Sequence, residues 1–167
     1  MILQSGPGRR ALNLIGFAVC AALMAYAYYV QYALRIEPCP LCIFQRIGVA
    51  VMGLILLLAG LHLPRRFGAH VYSALIAVAS LATVGLAIRH LWIQHMPEGT
   101  VAACGASLQF LLKIFSLTEV ITKVLTGSGE CHQINWSMLG LSMPAWVLLA
   151  ALGLGALGVY ANSYARR

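Results

Sequence analysis

Two cysteines three positions apart, Cys39 and Cys42, are the residues of this sequence best suited to chemistry. The C-x-x-C spacing lets two sulfurs close a small disulfide ring, and an apolar stretch that predicts a helix follows directly. A helix N-terminus stabilises thiolate, which is the form that exchanges with disulfides. The spacing therefore predicts redox chemistry. The alternatives are a structural disulfide and half of a zinc site, which would need a second closely spaced pair of ligands.

Two further cysteines, Cys104 and Cys131, lie in the longest segment that does not predict a membrane span. Taken alone, these two cysteines could form a disulfide that only stabilises a loop. On the same side of a membrane as an exposed C-x-x-C pair, they make a second dithiol, and two dithiols indicate an electron relay. The fifth cysteine, Cys20, stands inside an apolar stretch and is interpreted as a packed helix residue.

The composition indicates which elements must position these cysteines. Of 167 residues, 61% are hydrophobic and 9% are charged, whereas a soluble domain has about 45–50% and about 25%. This excludes an ordinary soluble domain and a disordered chain. The net charge of +7 does not indicate a nucleic-acid partner, because the basic residues are scattered singly or in pairs without interleaved aromatic residues.

Four charge-poor stretches are long enough to cross a bilayer as helices. They predict an all-α membrane protein, a bundle of four transmembrane helices that forms a single domain over residues 1–167. The first stretch is too long for the core of a usual signal peptide. The predicted helices cover about 11–32, 43–61, 69–91 and 144–162.

The distribution of arginines predicts the orientation of the bundle. Four spans put both termini on one side, and that side carries the arginine pairs 9–10, 65–66 and 166–167 in short segments beside the membrane. By the positive-inside rule, this side is cytoplasmic. The loops at about 33–42 and 92–143, which hold the four cysteines, then face an oxidising compartment where disulfides persist.

The second loop contains an amphipathic stretch, about 107–125, that predicts a short helix. We expect this helix to lie along the membrane surface, with an i,i+4 pair between Glu119 and Lys123. Its apolar face consists of Phe110, Ile114, Leu117, Ile121, Val124 and Leu125.

Arg46 follows Cys42 by four residues, so the two share one face of a helix. An arginine at a membrane edge often snorkels to lipid headgroups. The alternative is that Arg46 stabilises a thiolate or an oxygen of a bound molecule.

The histidines show no metal-ligand spacing, and no metal is expected. Seven aromatic residues are interpreted as an outer aromatic belt rather than a cofactor cage: Tyr26, Tyr28, Tyr29, Tyr32, Trp92, Trp136 and Trp146.

The segment Pro-Cys-Pro-Leu-Cys-Ile-Phe-Gln-Arg at 38–46 resembles the signature of the DsbB family, the disulfide bond formation proteins B of bacterial inner membranes. The segments Ala-Cys-Gly at 103–105, Gly-Glu-Cys at 129–131 and Met-Pro-Ala-Trp at 143–146 also resemble it. The resemblance implies a four-helix thiol:quinone oxidoreductase of the bacterial inner membrane. Its partner would be a DsbA-like periplasmic thioredoxin-fold protein, and its cofactor ubiquinone or menaquinone.

The resemblance also implies a role for each cysteine. Cys104 forms the mixed disulfide with the partner, and the Cys104–Cys131 pair takes its electrons. The Cys39–Cys42 pair passes them to the quinone, with the Cys42 thiolate facing the quinone ring and Arg46 stabilising it there.

His90 matches a family histidine near the quinone, and Gln45 stands where some relatives carry glutamate.

Two other classes of protein remain open as alternatives. A vitamin K epoxide reductase-like enzyme also places a C-x-x-C pair against a quinone, although it usually carries that pair late in the chain. A membrane scaffold would use the same cysteines only for stabilising disulfides.

Overall fold

A computed structural model describes residues 6–97, 113–126, 131 and 136–163. Four of its helices are long and apolar enough to cross a membrane, which confirms the predicted four-helix class. The elements in chain order are α1 (Gly6–Ala33), α2 (Pro40–His62), α3 (Arg66–Gln94), α4 (Leu117–Thr126), β1 (Ser137–Met138), β2 (Leu141–Ser142) and α5 (Met143–Ser163).

The long helices extend beyond the predicted spans, and the start of α2 matters most. The prediction began this helix at about residue 43, whereas the observed helix begins at Pro40. Proline suits the first helical position, where its missing N–H is not needed. Cys39 is the N-cap, and its sulfur accepts a hydrogen bond from the Cys42 N–H. The C-x-x-C pair therefore forms the first turn of α2, and the preceding loop is shorter than the predicted 33–42.

The bundle is held by close packing between its long helices. The pairs α1–α2, α2–α3 and α3–α5 make the main contacts. Met52, Leu56 and Ile76 are fully buried, and Cys20 packs in the same cluster, as expected. Gly53 faces Cys20, where an added Cβ would lie 2.9 Å from the cysteine Cβ. Small residues of this kind let membrane helices approach closely.

Hydrogen bonds between polar side chains connect the helices at the end of the bundle opposite Cys39 and Cys42. Asn13 and Asn162 are both fully buried and donate to each other over 3.4 and 2.9 Å, which joins α1 to α5. Arg9 donates through Nη2 to the Pro64 carbonyl over 2.7 Å, which joins α1 to the turn between α2 and α3. These bonds satisfy groups that would be costly to bury alone.

The helix in the second loop is confirmed, but it does not run unbroken from about 107 to 125. Residues 107–112 lie outside the described part of the chain, and α4 begins only after Ser116. The Glu119 carboxylate accepts from the Ser116 N–H over 3.0 Å and from its hydroxyl over 2.9 Å. This is half of a capping box, which starts a new helix here. The Ser116 donors hold the pKa of Glu119 below its usual value.

Two expectations for side chains on α4 are revised. Lys123 places its Nζ 4.5 Å from the centre of the Phe115 ring, whereas the Glu119 carboxylate accepts its hydrogen bonds from Ser116. The buried face of α4 consists of Val120 and Val124, which pack against the bundle, whereas Ile121 is 40% exposed. The helix thus presents one apolar face to the bundle and another outward, where lipid can meet it.

Arg89 of α3 holds the C-terminal end of α4. Its Nε donates to the Leu125 carbonyl over 2.8 Å, and its Nη2 donates to the Thr126 carbonyl over 3.2 Å. The last carbonyls of a helix lack partners within the helix and favour a positive charge. One arginine therefore fixes α4 to the end of α3 that carries His90.

A short β-hairpin precedes α5 and was not expected from the sequence. Ser137 pairs with Ser142 and Met138 with Leu141. The connecting residues Leu139 and Gly140 both have positive φ, 54° and 79°, as a two-residue type I′ turn requires. The hairpin brings the segment before α5 against the cysteine end of the bundle.

Candidate redox site

The two cysteines at the start of α2 are close enough to react with each other. Their sulfurs are 3.0 Å apart, and the Cys42 N–H lies 3.3 Å from the Cys39 sulfur. A disulfide needs about 2.05 Å, so closing the bond requires the sulfurs to approach by roughly 1 Å. Cys39 is buried, and Cys42 is partly buried. The helix start thus presents a preformed dithiol.

His90 of α3 contacts this dithiol from the Cys39 side. The His90 side chain is buried, and its Nε2 is 3.7 Å from the Cys39 sulfur. Its Nδ1 is 3.2 Å from Gln45 Nε2, which also lies 3.5 Å from the Leu86 carbonyl oxygen. Because that carbonyl only accepts, the amide nitrogen of Gln45 faces it and donates its second hydrogen to Nδ1. Neutral His90 then carries its proton on Nε2, facing Cys39.

The structure places Cys131 beside the same dithiol. Cys131 is 1% exposed and shares a buried cluster with Cys39, Leu41 and Ile93, which Val120 and Val124 of α4 complete. One member of the predicted loop pair therefore meets the C-x-x-C pair. The other member, Cys104, lies outside the described residues.

A cavity of about 410 Å³ lies on the Cys42 side of the dithiol, between α1, α2, the hairpin and α5. Pockets for small molecules range from about 300 to 1,000 Å³ and are mostly apolar with a few polar groups. This one fits that description. Cys42, Gln45 and Arg46 are its reactive and polar residues, and its walls include Met24, Tyr26, Trp136 and Trp146.

Arg46 is held at the cavity by α1. Its guanidinium donates to the Gln31 side-chain oxygen and, over 3.1 Å, to the Ala27 carbonyl. It also lies 5.5 Å from the centre of the Tyr28 ring. A guanidinium has five N–H donors in a fixed fork, so this anchoring leaves capacity for an oxygen in the cavity. Among the two alternatives for Arg46, these contacts favour a binding residue over an unsupported snorkelling residue.

The aromatic residues divide into two groups. Tyr26 and Trp136 meet edge to face with ring centres 5.8 Å apart, and both line the cavity. Trp146 also lines it and donates to the Met138 carbonyl over 3.2 Å. In contrast, Tyr32 is 72% exposed, as an outer belt requires. The sequence interpretation missed the lining role of the first group, although both tryptophans flank the start of the last span, at the depth of the C-x-x-C pair.

A sequence model described as Disulfide bond formation protein DsbB matches residues 9–161, from α1 through α5. The chain belongs to the DsbB family. Similar relatives are the Disulfide bond formation proteins B of Hahella chejuensis and Xanthomonas euvesicatoria, which are 44% and 46% identical to this chain. These alignments cover 95% of this chain and 94% and 92% of the relatives. A third relative, from Nitrosococcus oceani, is 44% identical over 87% of this chain and 86% of its own length.

DsbB-family membership and the four apolar helices identify a multi-pass membrane protein. The family membership also identifies a disulfide-generating oxidoreductase, which confirms the activity class expected from the C-x-x-C pair.

Proposed function

We propose that this chain is a thiol:quinone oxidoreductase that reoxidises a DsbA-like periplasmic thioredoxin-fold protein and passes the electrons to ubiquinone or menaquinone in the membrane. The observation that carries the proposal is the position of Cys42 and Arg46 on one cavity. That cavity is apolar and partly aromatic, and it lies where a spanning helix begins.

The cavity residues fit the chemistry of a quinone. A quinone is a flat apolar ring with two carbonyl oxygens, and when bound it supplies an acceptor for two electrons and two protons. The rings of Tyr26 and Trp136 offer apolar walls, and Arg46 offers N–H donors for a carbonyl oxygen. Cys42 lines the same space, so its sulfur would face the bound ring.

The two sulfurs of the C-x-x-C pair have different neighbours, and this supports a direction for the relay. Cys39 is a buried member of the cluster that holds Cys131, whereas Cys42 packs against the edge of that cluster and also lines the cavity. Cys104 would meet the partner and receive its electrons as a mixed disulfide, which releases the Cys131 thiolate. That thiolate then attacks the Cys39 sulfur of the Cys39–Cys42 disulfide, forms a Cys131–Cys39 bond and releases Cys42 as a thiolate at the cavity.

His90 would act through Cys39. Its Nε2 faces that sulfur, so the ring can donate or accept a proton as Cys39 changes between thiol, thiolate and disulfide. Direct contact between His90 and the quinone stays a prediction, because Gln45 is the residue that contacts His90 and also lines the cavity.

The proposal includes an orientation in the membrane. We place the protein in the bacterial inner membrane as one membrane domain over residues 1–167, with both termini cytoplasmic and the cysteine loops periplasmic. Arg9 and Arg65 support this orientation, because they lie at the end of the bundle opposite Cys39 and arginines beside spans favour the cytoplasmic side.

The test is quinone-dependent oxidation of a reduced DsbA-like protein by the purified chain, followed by quinone absorbance and by titration of free thiols. We expect quinone loss and disulfide formation in equal amounts, and neither with the Cys42→Ser variant. A membrane scaffold predicts the opposite result: its thiols and disulfides would not respond to added quinone.

A further inference from the structure

Three metal-ligating atoms from two helices converge at the start of α2. The sulfurs of Cys39 and Cys42 and a ring nitrogen of His90 all lie within 4.8 Å of one another. From the sequence, a zinc site needed a second closely spaced pair of ligands. The structure instead supplies a third ligand from α3, which no local spacing indicates.

The distances are close to those of a tetrahedral zinc site. With about 2.3 Å from Zn²⁺ to sulfur and about 2.0 Å to nitrogen, a tetrahedron separates sulfur from nitrogen by about 3.5 Å and two sulfurs by about 3.8 Å. The Cys39 sulfur is 3.7 Å from His90 Nε2 and 3.0 Å from the Cys42 sulfur. To form the site, the two sulfurs must separate by roughly 0.8 Å. The Cys42 sulfur, which lies within 4.8 Å of a His90 ring nitrogen, must come to about 3.5 Å from the nitrogen that binds the metal.

The surroundings suit a metal held by thiolates. The Cys42 N–H contacts the Cys39 sulfur, and hydrogen bonds of this kind orient and stabilise a ligand. Gln45 contacts the far nitrogen of His90 and can turn its amide oxygen toward it when Nε2 binds the metal. Two thiolates neutralise the charge of Zn²⁺, so the complex adds no net charge to an apolar region. Sulfur and imidazole ligands favour Zn²⁺ over Mg²⁺ or Ca²⁺.

We propose that Cys39, Cys42 and His90 form a Zn²⁺ site in the dithiol state of the protein, with a water molecule as the fourth tetrahedral ligand. One Zn²⁺ replaces the two thiol protons, which are released to water, and no oxidation state changes. The Cys39–Cys42 disulfide removes both sulfur ligands, so the site exists only when the pair is reduced. Bound Zn²⁺ occupies both sulfurs and blocks their exchange, which makes it an inhibitor of the proposed relay. Metal binding itself needs neither quinone nor partner.

The test uses the full-length chain in detergent, reduced and free of oxygen and quinone, with Co²⁺ as the probe. Cys104→Ser and Cys131→Ser remove the competing loop thiols. We expect one Co²⁺ per chain, with sulfur-to-cobalt charge-transfer absorption and the intense visible bands of tetrahedral cobalt. One equivalent of Zn²⁺ should abolish both, and protein oxidised at Cys39–Cys42 should show neither.

His90→Gln should weaken Co²⁺ binding by at least about tenfold. The matched control is His95→Gln, at the end of the same helix, which should bind Co²⁺ as tightly as the parent. Should His90→Gln disturb the bundle, a second measurement uses the parent of this test, the chain that carries Cys104→Ser and Cys131→Ser but keeps His90. In that protein, Zn²⁺ should slow the alkylation of Cys39 and Cys42 together. Equal Co²⁺ affinity in His90→Gln and parent, or unprotected cysteines in the parent, would overturn the three-residue site.

Discussion

Replacing Arg46 with methionine tests the binding cavity most directly. Methionine keeps much of the side-chain length but removes the charge and every N–H donor. The loss of one charged hydrogen bond to a ligand oxygen costs about 1.5–3 kcal/mol, which is roughly a 10- to 150-fold fall in kcat/KM for quinone. We expect the fall to appear mainly as a raised KM, because Arg46 lies on the cavity wall.

The contacts of Arg46 supply graded controls. Arg46→Lys should be intermediate, because a point charge replaces a planar fork. Gln31→Ala removes one anchor of the guanidinium but leaves the Ala27 carbonyl and the Tyr28 ring in place, so its effect should be smaller than that of Arg46→Met. The assay is steady-state oxidation of a reduced DsbA-like protein at varied quinone concentration. If Arg46→Met matched the parent in both KM and kcat, Arg46 would be a snorkelling residue and the quinone would bind elsewhere.

Three further predictions concern the second loop. Cys104→Ser should stop electron entry from the partner while leaving quinone affinity nearly unchanged, and partner oxidation at the parent rate would contradict the two-pair relay. Arg89→Gln should release the end of α4 and speed alkylation of reduced Cys131 several-fold, whereas Arg10→Gln should not; unchanged alkylation would show that α4 does not depend on the Arg89 bonds. Because the pKa of Glu119 is held below its usual 4.5, its stabilisation of α4 is complete above that pH and is lost as the pH falls through the lower value. The protection of α4 amides against hydrogen exchange, corrected for the pH dependence of exchange in an unstructured chain, should therefore fall on acidification, and Glu119→Ala should remove that pH dependence.

The sequence predicted the features that depend on local order along the chain. Charge-free length predicted the four spans, and the position of the C-x-x-C pair predicted its place at a helix start. The exact start escaped prediction because the cysteine itself is the N-cap and Pro40 the first helical residue. The break before α4 was visible in principle, since Ser116 and Glu119 have the spacing of a capping box.

Features that depend on contacts between helices could not be predicted in this way. His90 and Gln45 meet only because α2 and α3 pack at one register. Likewise, the burial of Cys131 beside Cys39 depends on where α4 lies. The amphipathic pattern of α4 indicated a surface helix, but it did not reveal that Val120 faces the bundle, because both sides of this helix carry apolar residues.

The position of Cys39 as the N-cap of α2 bears on how the dithiol can be dissected. Its sulfur both takes part in exchange and accepts the Cys42 N–H, so a change to alanine would remove a reactive group and a helix cap together. Serine keeps an acceptor at a position where it ranks among the best N-caps, whereas alanine there costs about 1 kcal/mol. The serine variant therefore separates the chemistry of this sulfur from its part in starting the helix, and the difference between the serine and alanine variants measures the second contribution alone.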